Sequence, residues 1–153
     1  MNRMDASPPR PCRSAGFTLI EMLVAAALAS VMLAIALPRY QDHVLRAHRV
    51  EARTSLLQAA HWLERVATAQ GNYPVAEDGE SALPDALRRT AGGRYAIALQ
   101  TSTPSAYTLV AEPQGAQADD ACGRFTLDQT GARGVIRGNV RGTADQITAC
   151  WGR

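Results

Sequence analysis

The sequence predicts an α+β fold, with one long N-terminal α-helix packed on a small antiparallel β-sheet head. Three observations carry this. Phe17 to Leu37 is an apolar run of 21 residues broken only by Thr18, Glu21 and Ser30, and Tyr40 to Ala69 contains neither glycine nor proline. Beyond Gly93 the pattern changes to short alternating stretches separated by turn formers, the period of strands. At 153 residues, 46% hydrophobic and 20% charged, the chain has material for one core and is not a disordered segment.

The first element is a basic leader. Residues 1–16 hold Arg3, Arg10 and Arg13 against Asp5, while the other 137 residues carry 13 arginines and 13 acids. Overall charge therefore points to no particular partner. The apolar run comes next. At about 1.5 Å per residue it makes roughly 32 Å of helix, enough for a bilayer core, with the arginines holding its start on the cytoplasmic side. An ordinary secretory signal would be cut after the apolar run, yet the chain continues there as polar, helical "PRYQDHVLRAH". A lipid anchor on Cys12 lacks an apolar stretch before it. The small-residue junction is Ala15–Gly16–Phe17, so cleavage would remove the leader and keep the helix.

The residues "GFTLIEMLVAAALASVMLAIALPRYQ" (16–41) resemble the N-terminal motif of type IV pilins. The resemblance, to the type IVa class and most to PilE-type minor pilins, implies cleavage by a prepilin peptidase between Gly16 and Phe17 and N-methylation of Phe17. It also explains Glu21. A lone carboxylate in lipid costs several kcal/mol and persists only with a partner or a role. In the family the matching glutamate is the assembly charge that meets the terminal amine of a neighbouring subunit. Such a pair adds little stability but penalises wrong register. Pro38 matches the family's proline, which kinks or locally melts a helix that then continues.

That continuation is read as residues 38–70, an amphipathic half-helix with an apolar stripe at Leu56, Ala60, Leu63 and Ala67, flanked by Leu57 and Val66. Gly71 stops it, with Pro74 beyond. Residues 71–153 form the head. The acidic stretch with Glu77, Asp78 and Glu80 lacks calcium-loop spacing and reads as a solvated loop, with one helical turn near Pro84–Arg89. Strands are predicted at Arg94–Gln100, Ala106–Pro113 and Gly123–Gly131, with a shorter one at Arg133–Gly138, and "TSTPS" as a turn.

Cys122 and Cys150 are the two cysteines left once the leader is gone, and an exported head would pair them. Closing that loop of 29 residues contributes about 3.5 kcal/mol in the chain-entropy model. The resemblance points the same way, since type IV pilins often carry a C-terminal disulfide loop. Trp62 is expected in helix–sheet packing and Trp151 beside the disulfide. His43, His48 and His61 are not spaced as metal ligands, and no cofactor motif is present. Arg39, Arg46, Arg49 and Arg53 read as a solvated helix face. Nucleic acid is the weaker reading, because Asp42 and Glu51 interleave with them and Tyr40 is the only aromatic nearby.

The expected protein is thus a filament subunit, not an enzyme. The resemblance implies as partners other pilin subunits, the prepilin peptidase, the inner-membrane pilus assembly platform and, before assembly, the membrane. It implies an inner-membrane stage with the N-terminus cytoplasmic, then an extracellular pilus serving twitching, adhesion or DNA uptake. Two rivals are a type II secretion pseudopilin, which generally lacks the cysteine pair, and a receptor head that borrows a pilin helix for export and binds DNA or a host surface. For the latter, residues 122–150 offer Arg124, Arg133, Arg137 and Arg141 but only one aromatic.

Overall fold

The computed structural model describes residues 17–75 and 82–152. The predicted leader with Gly16, and the acidic Glu77, Asp78 and Glu80, lie outside the described residues. The chain divides into two compact units, residues 1–39 and 40–153, and helix α1 (Leu19–Gln70) crosses the boundary.

In the first unit α1 starts with a reciprocal cap. Thr18 N–H donates to Glu21 Oε2 at 3.4 Å, and Glu21 N–H donates to Thr18 Oγ1 at 3.3 Å. This satisfies two N–H groups that a helix start leaves without partners. Every described side chain from Phe17 to Leu37 is exposed within the chain. Among the described residues, α1 is the one helix long and apolar enough to cross a membrane. The helix is not broken at Pro38. Proline removes one donor, and the breaker-free sequence after it re-forms the hydrogen-bond ladder.

In the second unit α1 buries Ala52, Leu56, Ala59 and Leu63 completely. The predicted stripe was turned too far round the helix. Ala60 and Ala67 are only part-buried and Leu57 is 43% exposed. Small Ala52 and Ala59 alternate with Leu56 and Leu63 along this buried stripe. The helix ends as predicted, with Gly71 N–H on Ala67 O at 2.8 Å. A single 3-10 turn, Asp85–Leu87, falls inside the predicted Pro84–Arg89.

The sheet is an antiparallel meander in the order β1-β2-β3-β4-β5: β1 (Tyr95–Thr103), β2 (Ala106–Pro113), β3 (Arg124–Asp128), β4 (Arg133–Arg137) and β5 (Val140–Arg141). One face carries Tyr95, Ile97, Tyr107, Leu109, Phe125, Leu127 and Val135, all buried with the α1 stripe in one core. The register places Leu109 opposite Leu127 and Phe125 opposite Val135. Two expectations are corrected. "TSTPS" is mostly strand: β1 runs on to Thr103 through an irregularity between Leu99 and Thr101, because threonine suits a strand and only Pro104–Ser105 must turn. The last strand signal is followed by a second hairpin arm, β5, and by helix α2 (Ala144–Trp151), neither of which was predicted. Thr143 and Gln146 cap α2 reciprocally.

Candidate functional site

The part of the head with the most arranged chemistry is the segment between the cysteines. Cys122 and Cys150 are disulfide-bonded, with Cα atoms 5.8 Å apart. Each end of the segment is also tied to α1 by an arginine. Arg49 Nε and Nη2 donate to Asp120 at 2.8 and 2.6 Å, and Asp120 accepts the Cys122 N–H at 3.1 Å. The Asp120 side chain is wholly shielded from solvent. Gln117 Nε2 donates to the same carboxylate and, at 3.0 Å, to the Tyr95 hydroxyl. The hydrogen bond to Asp120 holds the Arg49 guanidinium above its ordinary pKa, and burial pushes the Tyr95 hydroxyl up to about 12.

Arg53, one turn further on, serves the other end. Its Nη1 donates to the Trp151 carbonyl, next to Cys150, and its Nε to Arg49 O at 3.2 Å. Desolvation lowers the Arg53 pKa. Trp151 is buried edge-on against Phe125 with ring centroids 5.6 Å apart. Its indole N–H donates to Gly134 O at 2.9 Å. It thus packs into the core as well as lying beside the disulfide.

Between these anchors the β4–β5 hairpin projects. Its text, "RGVIRGNVRG", sets Arg133–Gly134, Arg137–Gly138 and Arg141–Gly142 at intervals of four. All three glycines have clear steric or backbone reasons. A Cβ on Gly134 would collide with Thr126 Oγ1 and one on Gly142 with Val135 Cγ2, and Gly138 stands at φ +59° in the two-residue loop. The arginines have no such reason. Arg137 and Arg141 are exposed, and among the described residues neither meets a carboxylate. No acid occurs from residue 129 to 144, so three cations share one short hairpin. Arg133 lies 5.4 Å over the Trp151 ring. Arg124 braces the tip by donating to Gly138 O at 2.6 Å, with Glu112 at 3.6 Å. Beside the hairpin runs a groove of about 560 Å³ lined by Arg137, Val140, Arg141, Gln146 and the disulfide.

The structure places the sequence-predicted residues unevenly. Phe17 is 77% exposed at the start of the described chain, Glu21 sits in the cap, Pro38 lies within α1, and Cys122 joins Cys150. The predicted arginine face is divided. Arg39 and Arg46 are exposed, whereas Arg49 and Arg53 turn into the head. That part of the solvated-face expectation is corrected, because buried Asp120 and the Trp151 carbonyl needed cationic donors. The hairpin was missed as a unit, although its Arg-Gly interval was a readable signal.

Comparison with known proteins settles the family. Residues 38–126, more than half of the chain, match the profile described as type IV minor pilin ComP, DNA uptake sequence receptor. The chain belongs to the type IV minor pilins. Residues 11–37 of this pilin match the prokaryotic N-terminal methylation motif. A fimbrial protein of Dichelobacter nodosus is 31% identical over 124 residues, covering 74% of this pilin and 69% of that protein. A fimbrial protein of Moraxella nonliquefaciens is 51% identical over 39 residues, and the match spans only a quarter of its length. The crystal structure of the non-core minor pilin PilV of Neisseria meningitidis shares the fold, with a TM-score of 0.50 at 23% identity over 64% of this pilin and 92% of that chain. The long helix, five-stranded antiparallel sheet and C-terminal disulfide are the pilin α+β fold. An apolar helix of membrane length in a pilin family marks a chain that is membrane-anchored and then part of an extracellular pilus.

Proposed function

We propose that this minor pilin is a DNA receptor within a type IV pilus, and that its arginine hairpin contacts the phosphate backbone. The observation that carries this is the run of Arg133, Arg137 and Arg141 on a braced hairpin with no acid between residues 129 and 144. The description of the matching family as a DNA uptake sequence receptor supports it. The matched residues end before the hairpin, so the assignment to the hairpin rests on this chain's own chemistry. Asp42 and Glu51 interleave with the helix arginines, not with those of the hairpin. Scarce aromatics disfavour stacking of single-stranded bases, but phosphate contact on a duplex needs only cations.

Binding of fluorescent duplex by the full chain in detergent micelles tests this. Arg137→Ala and Arg141→Ala should each weaken binding several-fold and reduce the slope of log K against log salt by about 1. A wild-type chain that binds no duplex at low salt would sink the reading.

Assembly follows the pilin route in this proposal. The prepilin peptidase cuts after Gly16, Phe17 is methylated, and Glu21 meets a neighbour's Phe17 amine, while Pro38 gives the helix a place to bend. The chain waits in the inner membrane with its N-terminus cytoplasmic, passes through the assembly platform to join other pilin subunits, and has no catalytic role. Mass spectrometry of sheared pili should find this chain at low abundance beginning with methylated Phe17. A leader still attached in the pilus would refute the processing scheme.

A further inference from the structure

We infer that Asn139 is the base-reading residue of this head, its side-chain amide pairing with an adenine edge while Arg137 and Arg141 hold the flanking phosphates. The inference rests on the DNA-receptor reading above and adds a source of sequence discrimination to it.

Asn139 occupies the second position of the two-residue loop between β4 and β5, with Arg137 ending one strand and Arg141 ending the other. The bland account is that asparagine simply makes a good turn. A turn-making side chain of this type bonds the backbone two residues on. Asp128 does so in the preceding turn, accepting from the N–H groups of Thr130 and Ala132 at 2.9 and 3.0 Å. Asn139 does not: it is exposed, and among the described residues its amide has no hydrogen-bond partner.

The other amides of the segment are committed. Gln129 Oε1 accepts from the Tyr107 N–H at 3.2 Å, and Gln146 Oε1 from the Thr143 N–H at 2.9 Å. Asn139 is therefore the one carboxamide between the two cysteines that the fold leaves unused among the described residues. Its neighbour is also unexplained by folding, since Val140 is 72% exposed beside it. An apolar side chain next to an amide at the tip of a basic ribbon matches the major-groove edge of A·T pairs. There asparagine pairs with adenine N6 and N7, and an apolar group contacts the thymine methyl.

The tip is also held in place. Arg124 bonds the Gly138 carbonyl at 2.6 Å and Trp151 bonds the Gly134 carbonyl at 2.9 Å, so little ordering is left for binding. The major groove, about 12 Å wide, admits a two-stranded ribbon.

The test is selection from a library of duplexes with about twelve randomised base pairs, using the full chain in detergent micelles. Wild type should enrich a motif containing an adenine. Asn139→Gly keeps good turn chemistry and should keep the salt slope, which reports the phosphate contacts, yet bind the enriched motif more weakly and lose about tenfold discrimination at that single position. Asn139→Asp should move the preference there towards cytosine, whose amino group a carboxylate accepts. A purely structural asparagine would give neither change. The same motif from Asn139→Gly, or loss spread evenly over all positions, would overturn the inference. So would salt-dependent wild-type binding with no enriched motif, which leaves the phosphate contacts standing. Wild type that binds no duplex at all overturns the receptor reading and this inference together.

Discussion

Replacing Arg49 by alanine is expected to cost the head about 3–5 kcal/mol, the largest effect of any single substitution on its charged residues. The reason is what remains behind. Asp120 has no solvent contact, and Arg49 supplies its two shortest charged hydrogen bonds, at 2.6 and 2.8 Å. Without the guanidinium the carboxylate must protonate, draw in water or unfold its loop, and that loop carries the Cys122 end of the disulfide. Arg49→Lys should recover only part of the loss, since an ammonium cannot make the bidentate contact. Arg46→Ala, on the same helix but exposed and, among the described residues, bonded only to Asp42 O, should stay within about 0.5 kcal/mol. Denaturant unfolding of the full chain in micelles, followed by tryptophan fluorescence, measures all three. A loss below about 1 kcal/mol for Arg49→Ala would mean that the carboxylate is rehydrated cheaply and the pair is not a structural keystone.

The second large effect is removal of the disulfide. Cys122→Ser with Cys150→Ser should cost about 2–5 kcal/mol, which for a head of this size lowers Tm by on the order of 10–20 °C. The cross-link limits the unfolded chain, but it also seats α2, whose Trp151 bonds both Arg53 and the Gly134 backbone. Loss of the bond and loss of Arg53 therefore act on the same anchor. A double-mutant cycle between the cysteine pair and Arg53→Ala should show coupling rather than additivity. Full additivity, with Tm nearly unchanged by the cysteine substitutions, would show that the arginines alone hold the segment.

The N-terminal half of this architecture was legible because its signals are local. An apolar run of membrane length and thirty residues without a breaker need no tertiary information. The first strands were legible for the same reason, each alternating over five or more residues. The stripe on α1 was misplaced because Ala52 and Ala59 are small, and alanine signals a core position poorly until the sheet is seen lying on it. β5 is two residues long, too short for any period to show. α2 did announce itself through Thr143 and Gln146 at capping-box spacing, but eight residues beside a cysteine read more easily as loop.

The division of the arginines was beyond sequence reasoning. Arg49 and Asp120 lie 71 residues apart, and nothing near either names the other. Read along the helix, Arg49 belongs with Arg46. Only the fold separates a buried ion pair from a solvated charge. The hairpin presents the reverse case, since its arginines and glycines interleave at an interval of four and only the glycines are needed by the backbone.

The two arginine ties on α1 also have a mechanical meaning. A pull on the β4–β5 tip enters the backbone at Gly134 and Gly138, passes through the Trp151 indole and the disulfide, and reaches α1 through Arg53 and through Asp120 to Arg49. That route bypasses β1 and β2. Tension on the tip thereby has a route to the helix through short links in parallel, beside the one that runs through Arg124 and the sheet ladder.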